Sequence, residues 1–282
     1  MLLNFCLGFI MFGVALDLSM KDFSGLWQNK KSTLTGLLSQ LIFLPLLTMT
    51  LIWILQPPAS IAMGMLLISV CPGGNVSNYA VHLAKGNTAL SVVLTFISTI
   101  SSSLFTPLSF AILYQWLPSS AGSSTQSFTV PFPQMVTNII TLMIIPLVAG
   151  IIFSEKFPLT RQKILPWVKR GSLVLFAGII LSGLASNLDN LNLHLQVVFY
   201  IVLVHNGLAL LGGYFIALFF RIPEKDRISI AIETGIQNSG LALVLIFNFF
   251  EGLGGMALIA AWWSIWHLIS ALAAALYFRS KV

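Results

Sequence analysis

Glu233 is the one acid placed deep within a long apolar run of this chain, and its neighbours are of the kinds that hold ions. It opens the stretch Glu233-Thr234-Gly235-Ile236-Gln237-Asn238-Ser239-Gly240, in the middle of an apolar segment over about 228–250. A charge at mid-membrane costs roughly 2.5–3.5 kcal/mol on insertion scales, so such residues mark function. Gln237 stands at i+4 and shares a helical face with Glu233. Glycines on both sides of Gln237 and Asn238 invite the helix to unwind, and unwound backbone at that depth survives only inside protein or along a wet cavity. A carboxylate, an amide oxygen and freed carbonyls make a donor set for small hard cations. One carboxylate can serve two neighbouring cations if each also has neutral oxygens.

A second stretch pairs with the first. Cys71-Pro72-Gly73-Gly74-Asn75-Val76-Ser77-Asn78 interrupts the apolar segment 60–83. Proline removes an N–H and glycine loses most backbone entropy, so Pro-Gly-Gly stops a helix outright. Two interrupted apolar segments at corresponding places in two halves of a chain point to a transporter binding site. Behind the first break, Ser91, Thr95, Ser98, Ser102 and Thr106 recur at helical spacing on one face. Ser102 and Thr106 read as small packing residues that bond their own carbonyls. Ser91 and Thr95 lie close enough to the break to be ligands. A lone Gln40 reads on its own as an interhelical hydrogen bond. His205, Asn206 and His267 read equally as packing residues or as part of a site. Asp17 and Glu251 fall at segment ends and need no special role.

The elements that must carry these residues are membrane helices. Hydrophobic residues make up 57% of the chain and charged residues 8%, so most of it must lie in lipid. The net charge of +6 does not imply nucleic acid, because the basic residues are scattered among short loops. Cys6 and Cys71 lie in different apolar segments and suggest neither a disulfide framework nor a metal spacing. Met1–Leu16 lacks the basic start and the cleavage site of a signal peptide. Nine apolar segments are expected, at 2–20, 32–55, 60–83, 88–116, 132–153, 171–187, 194–220, 228–250 and 255–278. With nine crossings all 14 basic residues fall on one side, which puts the N-terminus outside and the C-terminus in the cytoplasm. The third and eighth segments are the broken ones, each the middle of a triplet. Three is odd, so the two triplets enter the membrane with opposite polarity, an inverted repeat. The expected fold is therefore an all-α polytopic membrane protein, with segments 1, 5 and 6 as a separate packing layer.

The blocks GFIMFG from Gly8, CPGGNVSN from Cys71, AKGNTALSVVLT from Ala84, VHNG from Val204, ETGIQNSGLA from Glu233 and SIWH from Ser264 resemble the bile acid:sodium symporter family over nearly the whole chain. The resemblance implies a core domain over 32–116 and 194–278, in which the two broken helices cross. It implies a panel domain over 1–20 and 132–187, and the nine-helix form of the animal members. It implies two sodium ions at the crossing. One site would comprise Ser77, Asn78, Ser91, Thr95 and Glu233. The other would comprise Gln40, Gln237 and Glu233, with backbone carbonyls near Thr234 and Ile236. The substrate would face Asn75, Asn238 and His267, and His205 and Asn206 are carried as further substrate candidates. Position 75 is Asn where bacterial relatives often have Thr, and Leu268 stands where some have Asn, so substrate identity does not transfer.

The function expected is a sodium-coupled symporter importing an organic anion, such as a bile acid, a pantoate-like acid or a keto acid, by alternating access. It needs no cofactor beyond the two coupling ions, no nucleic acid and no oligomer, and works in the cell (inner) membrane. Proton coupling through Glu233 is the alternative. A channel would need a continuous polar path, whereas the polar residues cluster at the breaks. An enzyme would need a nucleophile–base pair or paired acids, and no workable spacing is present. No Lys or Arg is expected at the depth of the breaks, so half-helix N-termini would hold the anion.

Overall fold

A computed structural model describes residues 2–16, 30–118, 131–185 and 188–281, with the side chains of 2–3, 75, 179–180 and 182–195 outside that description. Asp17 thus lies outside the described residues. Every named element is a helix. In chain order they are α1 (Leu2–Ala15), α2 (Lys30–Leu38), α3 (Leu44–Leu55), α4 (Ala59–Val70), α5 (Asn75–Leu83), α6 (Thr88–Tyr114), α7 (Phe132–Ile139), α8 (Ile145–Lys156), α9 (Pro158–Ala185), α10 (Leu188–Phe219), α11 (Glu224–Gly235), α12 (Ser239–Phe249) and α13 (Gly254–Arg279). A π turn at Ser39–Phe43 joins α2 to α3, and another at Ile140–Ile144 joins α7 to α8. Among the described residues five helices are long and apolar enough to cross a membrane: Lys30–Leu55, Thr88–Tyr114, Phe132–Lys156, Gln196–Phe219 and Gly254–Arg279.

The π turns have a common cause. Each is followed at once by a proline, Pro45 or Pro146, at the start of the next helix. The missing proline N–H frees a carbonyl one turn back, and the chain absorbs it by widening one turn. At the first π turn this widening goes with a buried Gln40.

Two of the apolar segments are interrupted. Helix α4 ends at Val70 before Pro72, and α5 starts at Asn75 after Gly74. Helix α11 ends at Gly235, extended Ile236 follows, and α12 starts at Ser239 with Asn238 as its cap. The Asn238 side-chain oxygen accepts from the Leu241 N–H at 3.0 Å, as an N-cap should. The carbonyl left free at the end of α4, on Val70, accepts from the Thr106 hydroxyl at 2.6 Å. Ser102 bonds Thr99 O in its own helix. Ser102 thus bonds its own helix as expected, whereas Thr106 bonds across to the broken helix and closes its end.

The largest hydrophobic cluster brings together Leu66 and Ile68 of α4, Leu243 and Val244 of α12, and Ile259 and Trp263 of α13. Helices α4 and α13 touch backbone to backbone: a Cβ on Gly64 would lie 2.9 Å from Met256 Cα. Such close approach through small residues is how helices associate in lipid. Helix α1 packs on α8 and α9 in the same way, with Gly150 under Ala15 and Gly13 under Ser172. The end of this first helix is closed by Arg161, whose Nε donates to Leu16 O at 2.6 Å.

Helix α9 starts at Pro158, well before the expected 171, and α10 starts at Leu188. The extra turns of α9 contain Arg161, Lys163, Lys169 and Arg170. Apolar runs mark the lipid-embedded part of a helix, and charged turns that continue it past the membrane are invisible to that criterion.

Candidate functional site

The two breaks meet. Gly73 and Gln237 pair as an antiparallel bridge. The Gly74 N–H donates to Ile236 O at 3.3 Å, and the Asn238 N–H to Pro72 O at 2.8 Å. Four helix ends thus abut, and two of their backbone N–H groups are satisfied across the crossing. A side chain at position 73 would not fit. Its Cβ would lie 2.7 Å from Glu233 Oε2 and 2.9 Å from Gln40 Nε2. The glycine is there so that a carboxylate and an amide can reach the backbone of the other break.

Glu233 is fully buried, and three hydroxyls surround it. Ser77 Oγ lies 2.6 Å from Oε1. Thr95 Oγ1 lies 3.0 Å from Oε1 and 3.1 Å from Oε2. Ser91 Oγ also bonds Oε1. Each hydroxyl faces a second acceptor as well: Gly74 O at 2.6 Å for Ser77, and Asn78 Oδ1 at 2.7 Å for Ser91 and 3.3 Å for Thr95. A hydroxyl carries one proton. The cluster therefore has more acceptor contacts than protons to fill them. A bound cation resolves such a shortage, and so does a proton on Glu233.

On the other side of the carboxylate the shortage is sharper. Gln40 is 1% exposed, and neither of its amide atoms has a hydrogen-bond partner among the described residues. This removes the interhelical hydrogen bond that a lone intramembrane Gln suggests. Gln237 donates its Nε2 to Thr234 O at 3.0 Å, while its Oε1 is unpartnered. Buried polar atoms without partners cost about 1–3 kcal/mol each, so two unpaired amide oxygens beside one carboxylate need a ligand. The expected backbone ligands are near but engaged: Thr234 O accepts from Gln237 and Ile236 O from Gly74. A carbonyl keeps a second lone pair.

Beside the crossing lies a cavity of about 250 Å³. Gly74, Val76, Gln237, Asn238, Ser239 and His267 form one wall, and α1 and α9 form the other. A void of about 20 Å³, room for a water, separates Asn78 and Thr95 from α1 and α8.

The sequence compares with known proteins in the same sense as this geometry. The model of the sodium bile acid symporter family matches residues 4–193. The chain belongs to the sodium bile acid symporter family. It is 34% identical over 277 residues to the uncharacterized sodium-dependent transporter YocS of Bacillus subtilis, covering 98% of this chain and 82% of that one. It is 30% identical to the probable sodium/metabolite cotransporter BASS2, chloroplastic, of Oryza sativa subsp. japonica, covering 91% of this chain and 62% of that one. Over 83% of its length it is also 30% identical to the bovine P3 protein, and spans 48% of that protein. The family and the names of the first two describe transporters, not enzymes, and the chain is a multi-pass membrane protein.

Within this family member the structure sorts the remaining candidates. His267 is buried, lines the cavity and leaves Nδ1 unpartnered. The side chain of Asn75 lies outside the described residues, and its backbone starts α5. His205 and Asn206 do not line the cavity. His205 Nε2 bonds Thr48 Oγ1 at 2.7 Å, and its ring stands edge-on to Trp263. Asn206 Nδ2 donates to Gly235 O at 2.7 Å, so it closes the end of α11 at the break. Two residues escaped the sequence reading. Lys169 lines the cavity, because α9 begins early enough to carry it there. Asp226, 3% exposed, is a second buried acid. An acid in the first turn of a helix ordinarily reads as a solvated partner of the helix dipole, so its type alone gave no signal.

Proposed function

We propose that this chain is a sodium-coupled symporter that moves a small organic monoanion, with the ions at the crossing of the two breaks and the anion in the adjoining cavity. The observation that carries the reading is the convergence of unsatisfied oxygens on Glu233: two unpartnered amide oxygens on one side and hydroxyls with fewer protons than acceptors on the other. Ser77, Asn78, Ser91, Thr95 and Glu233 would hold one sodium. Gln40, Gln237 and Glu233, with the carbonyls of Thr234 and Ile236, would hold a second. Coupling would follow from chain adjacency. Gln237 belongs to the ion cluster and lines the cavity, and Asn238 begins the helix whose N-terminus faces the anion. Ordering one orders the other, which is positive coupling in both directions.

The cavity supports a small substrate. Its volume of about 250 Å³ is below the roughly 300–1,000 Å³ of drug-sized ligand pockets, which favours small carboxylic acids over bile acids. Two half-helix N-termini, Asn238, His267 and Lys169 favour an anion. Alternating access would move the triplets at 32–116 and 194–278 against the layer at 1–20 and 132–187, in a nine-crossing arrangement. The N-terminus would be outside, the C-terminus cytoplasmic, and the location the cell (inner) membrane. A cysteine at position 163 should then be reached by a membrane-impermeant reagent in opened vesicles and not in intact cells; labelling from outside reverses the orientation.

Proton coupling is the second reading, favoured by the same cluster, since a proton on Glu233 also relieves the shortage. Uptake of carboxylates into proteoliposomes separates the two. We expect accumulation with an inward sodium gradient at fixed pH, and none with a proton gradient in sodium-free buffer. The opposite pattern overturns sodium coupling.

A further inference from the structure

Asp226 is buried at the root of α11, and both its carboxylate oxygens are taken. Ser32 Oγ donates to Oδ2 at 2.6 Å and Asn87 Nδ2 donates to Oδ1 at 2.8 Å. Asn87 caps α6, its side-chain oxygen accepting from the Leu90 N–H at 3.1 Å. Its own N–H donates to Lys225 O at 3.1 Å, and its carbonyl accepts from Ser229 Oγ at 2.9 Å. Three of its four polar groups therefore go to α11. Each root joined here belongs to a helix that carries a residue of the ion cluster. Ser32 lies in the first turn of α2, which leads two turns on to Gln40. Asn87 is one turn before Ser91, and Ser229 is one turn before Glu233. The contact of Ser91 with Glu233 is thus the next rung above the contact of Asn87 with Ser229.

We propose that the Ser32–Asp226–Asn87 knot is a register clamp for the cation site, and that Asp226 is a positioning residue for Glu233; the proposal rests on the sodium-site reading above. One residue of a helix rises about 1.5 Å. A slide of α11 by that much along α6 stretches the contacts of Glu233 with Thr95, which at 3.0 and 3.1 Å are already long for a hydroxyl donor. The clamp works through hydrogen bonds. An amide at position 226 can accept from Asn87 through its oxygen and donate to the Ser32 hydroxyl through its nitrogen.

The test compares Asp226→Ala, Asp226→Asn and Ser32→Ala with the parent protein in proteoliposomes, measuring uptake against sodium concentration at saturating anion. Asp226→Ala should raise the half-saturating sodium about tenfold, which is about 1.4 kcal/mol, with the maximal rate within about twofold. Asp226→Asn should stay within about twofold of the parent, and Ser32→Ala should fall between. A merely structural role lowers the amount of active protein and the maximal rate and leaves the half-saturating sodium alone; that result overturns the clamp. Equal loss in Asp226→Asn and Asp226→Ala also overturns it, because the charge would then be what matters. Should Asp226→Ala not fold, Ser32→Ala decides by the same criterion. A parent protein with no sodium dependence overturns the site reading itself, and the clamp with it. A sodium-dependent parent whose variants keep its half-saturation overturns the clamp alone.

Discussion

The two breaks do different work at one crossing. The first, Cys71-Pro72-Gly73-Gly74, brings almost no side chain to the centre. Its Gly73 leaves the space that Glu233 and Gln40 fill, and its Pro72 carbonyl and Gly74 N–H bind the other break. The second, around Gly235-Ile236-Gln237-Asn238, brings the carboxylate one turn before it, an amide within it and a capping Asn after it. One break is a mould and the other is what is cast in it. The comparison teaches that a glycine can belong to an ion site as firmly as a ligand does, by being the only residue that lets ligands converge. It also explains why their symmetry in sequence is weak while their pairing in space is close. Backbone meets backbone, so identical side chains are not required.

Removing the carboxylate of the second break should have the largest effect. Glu233→Gln keeps the shape and removes the charge on which both proposed cations lean. Sodium-driven uptake should disappear while the protein stays folded by size exclusion and thermal melting. Ser77→Ala, which removes one of three hydroxyls, should leave uptake with a several-fold weaker sodium dependence. Unchanged sodium dependence in Glu233→Gln means that the ions bind elsewhere.

Altering the mould should come next in size. Gly73→Ala sets a methyl 2.7 Å from Glu233 Oε2 and 2.9 Å from Gln40 Nε2. Both are ends of side chains, yet both are buried, and Glu233 is held by three hydroxyls. We expect a 10–100-fold rise in half-saturating sodium, equivalent to about 1.4–2.8 kcal/mol. Gly74→Ala should do less, since its nearest neighbour, Gln237 O, would be 3.2 Å away. If position 74 proves the more sensitive, the crossing rather than the ligand set limits the site.

What the sequence reveals of this site depends on whether each signal is local or needs two distant residues at once. Apolar length and Pro-Gly-Gly are local properties of the chain, so the class, both broken segments and the order of helices could be read directly. Glu233 was legible because a charge in lipid is costly wherever it sits. Gln40 was half legible: an intramembrane amide is notable, but only the surroundings tell that nothing bonds it. Pairing of distant residues was not legible at all. Asp226 looks like an ordinary helix-start acid until Ser32 and Asn87 are found against it. Asn206 reads equally as packing or as pocket until its amide is found on Gly235 O. The early start of α9, and with it Lys169 in the cavity, was hidden because a basic helical turn leaves no apolar signature.

The finest test asks whether the second break also shapes the anion end. Asn238 lines the cavity, and its side-chain oxygen caps α12 by accepting from the Leu241 N–H. Asn238→Ser keeps a good capping group and removes the amide. A neutral hydrogen bond is worth about 0.5–1.5 kcal/mol net, and one to a charged group about 1.5–3. The half-saturating carboxylate should therefore rise several-fold to tens-fold, while half-saturating sodium at saturating carboxylate stays put. The accompanying control is a panel of carboxylates, their methyl esters and matching amines, scored by thermal stabilisation with and without sodium. Binding to the folded state raises stability by about 2.7 kcal/mol at 100 times the dissociation constant, so the acids should stand out, and more so with sodium. Esters or amines that stabilise equally well would mean that the helix ends do not hold a charge. The cavity wall of α1 and α9 would then be what selects the substrate.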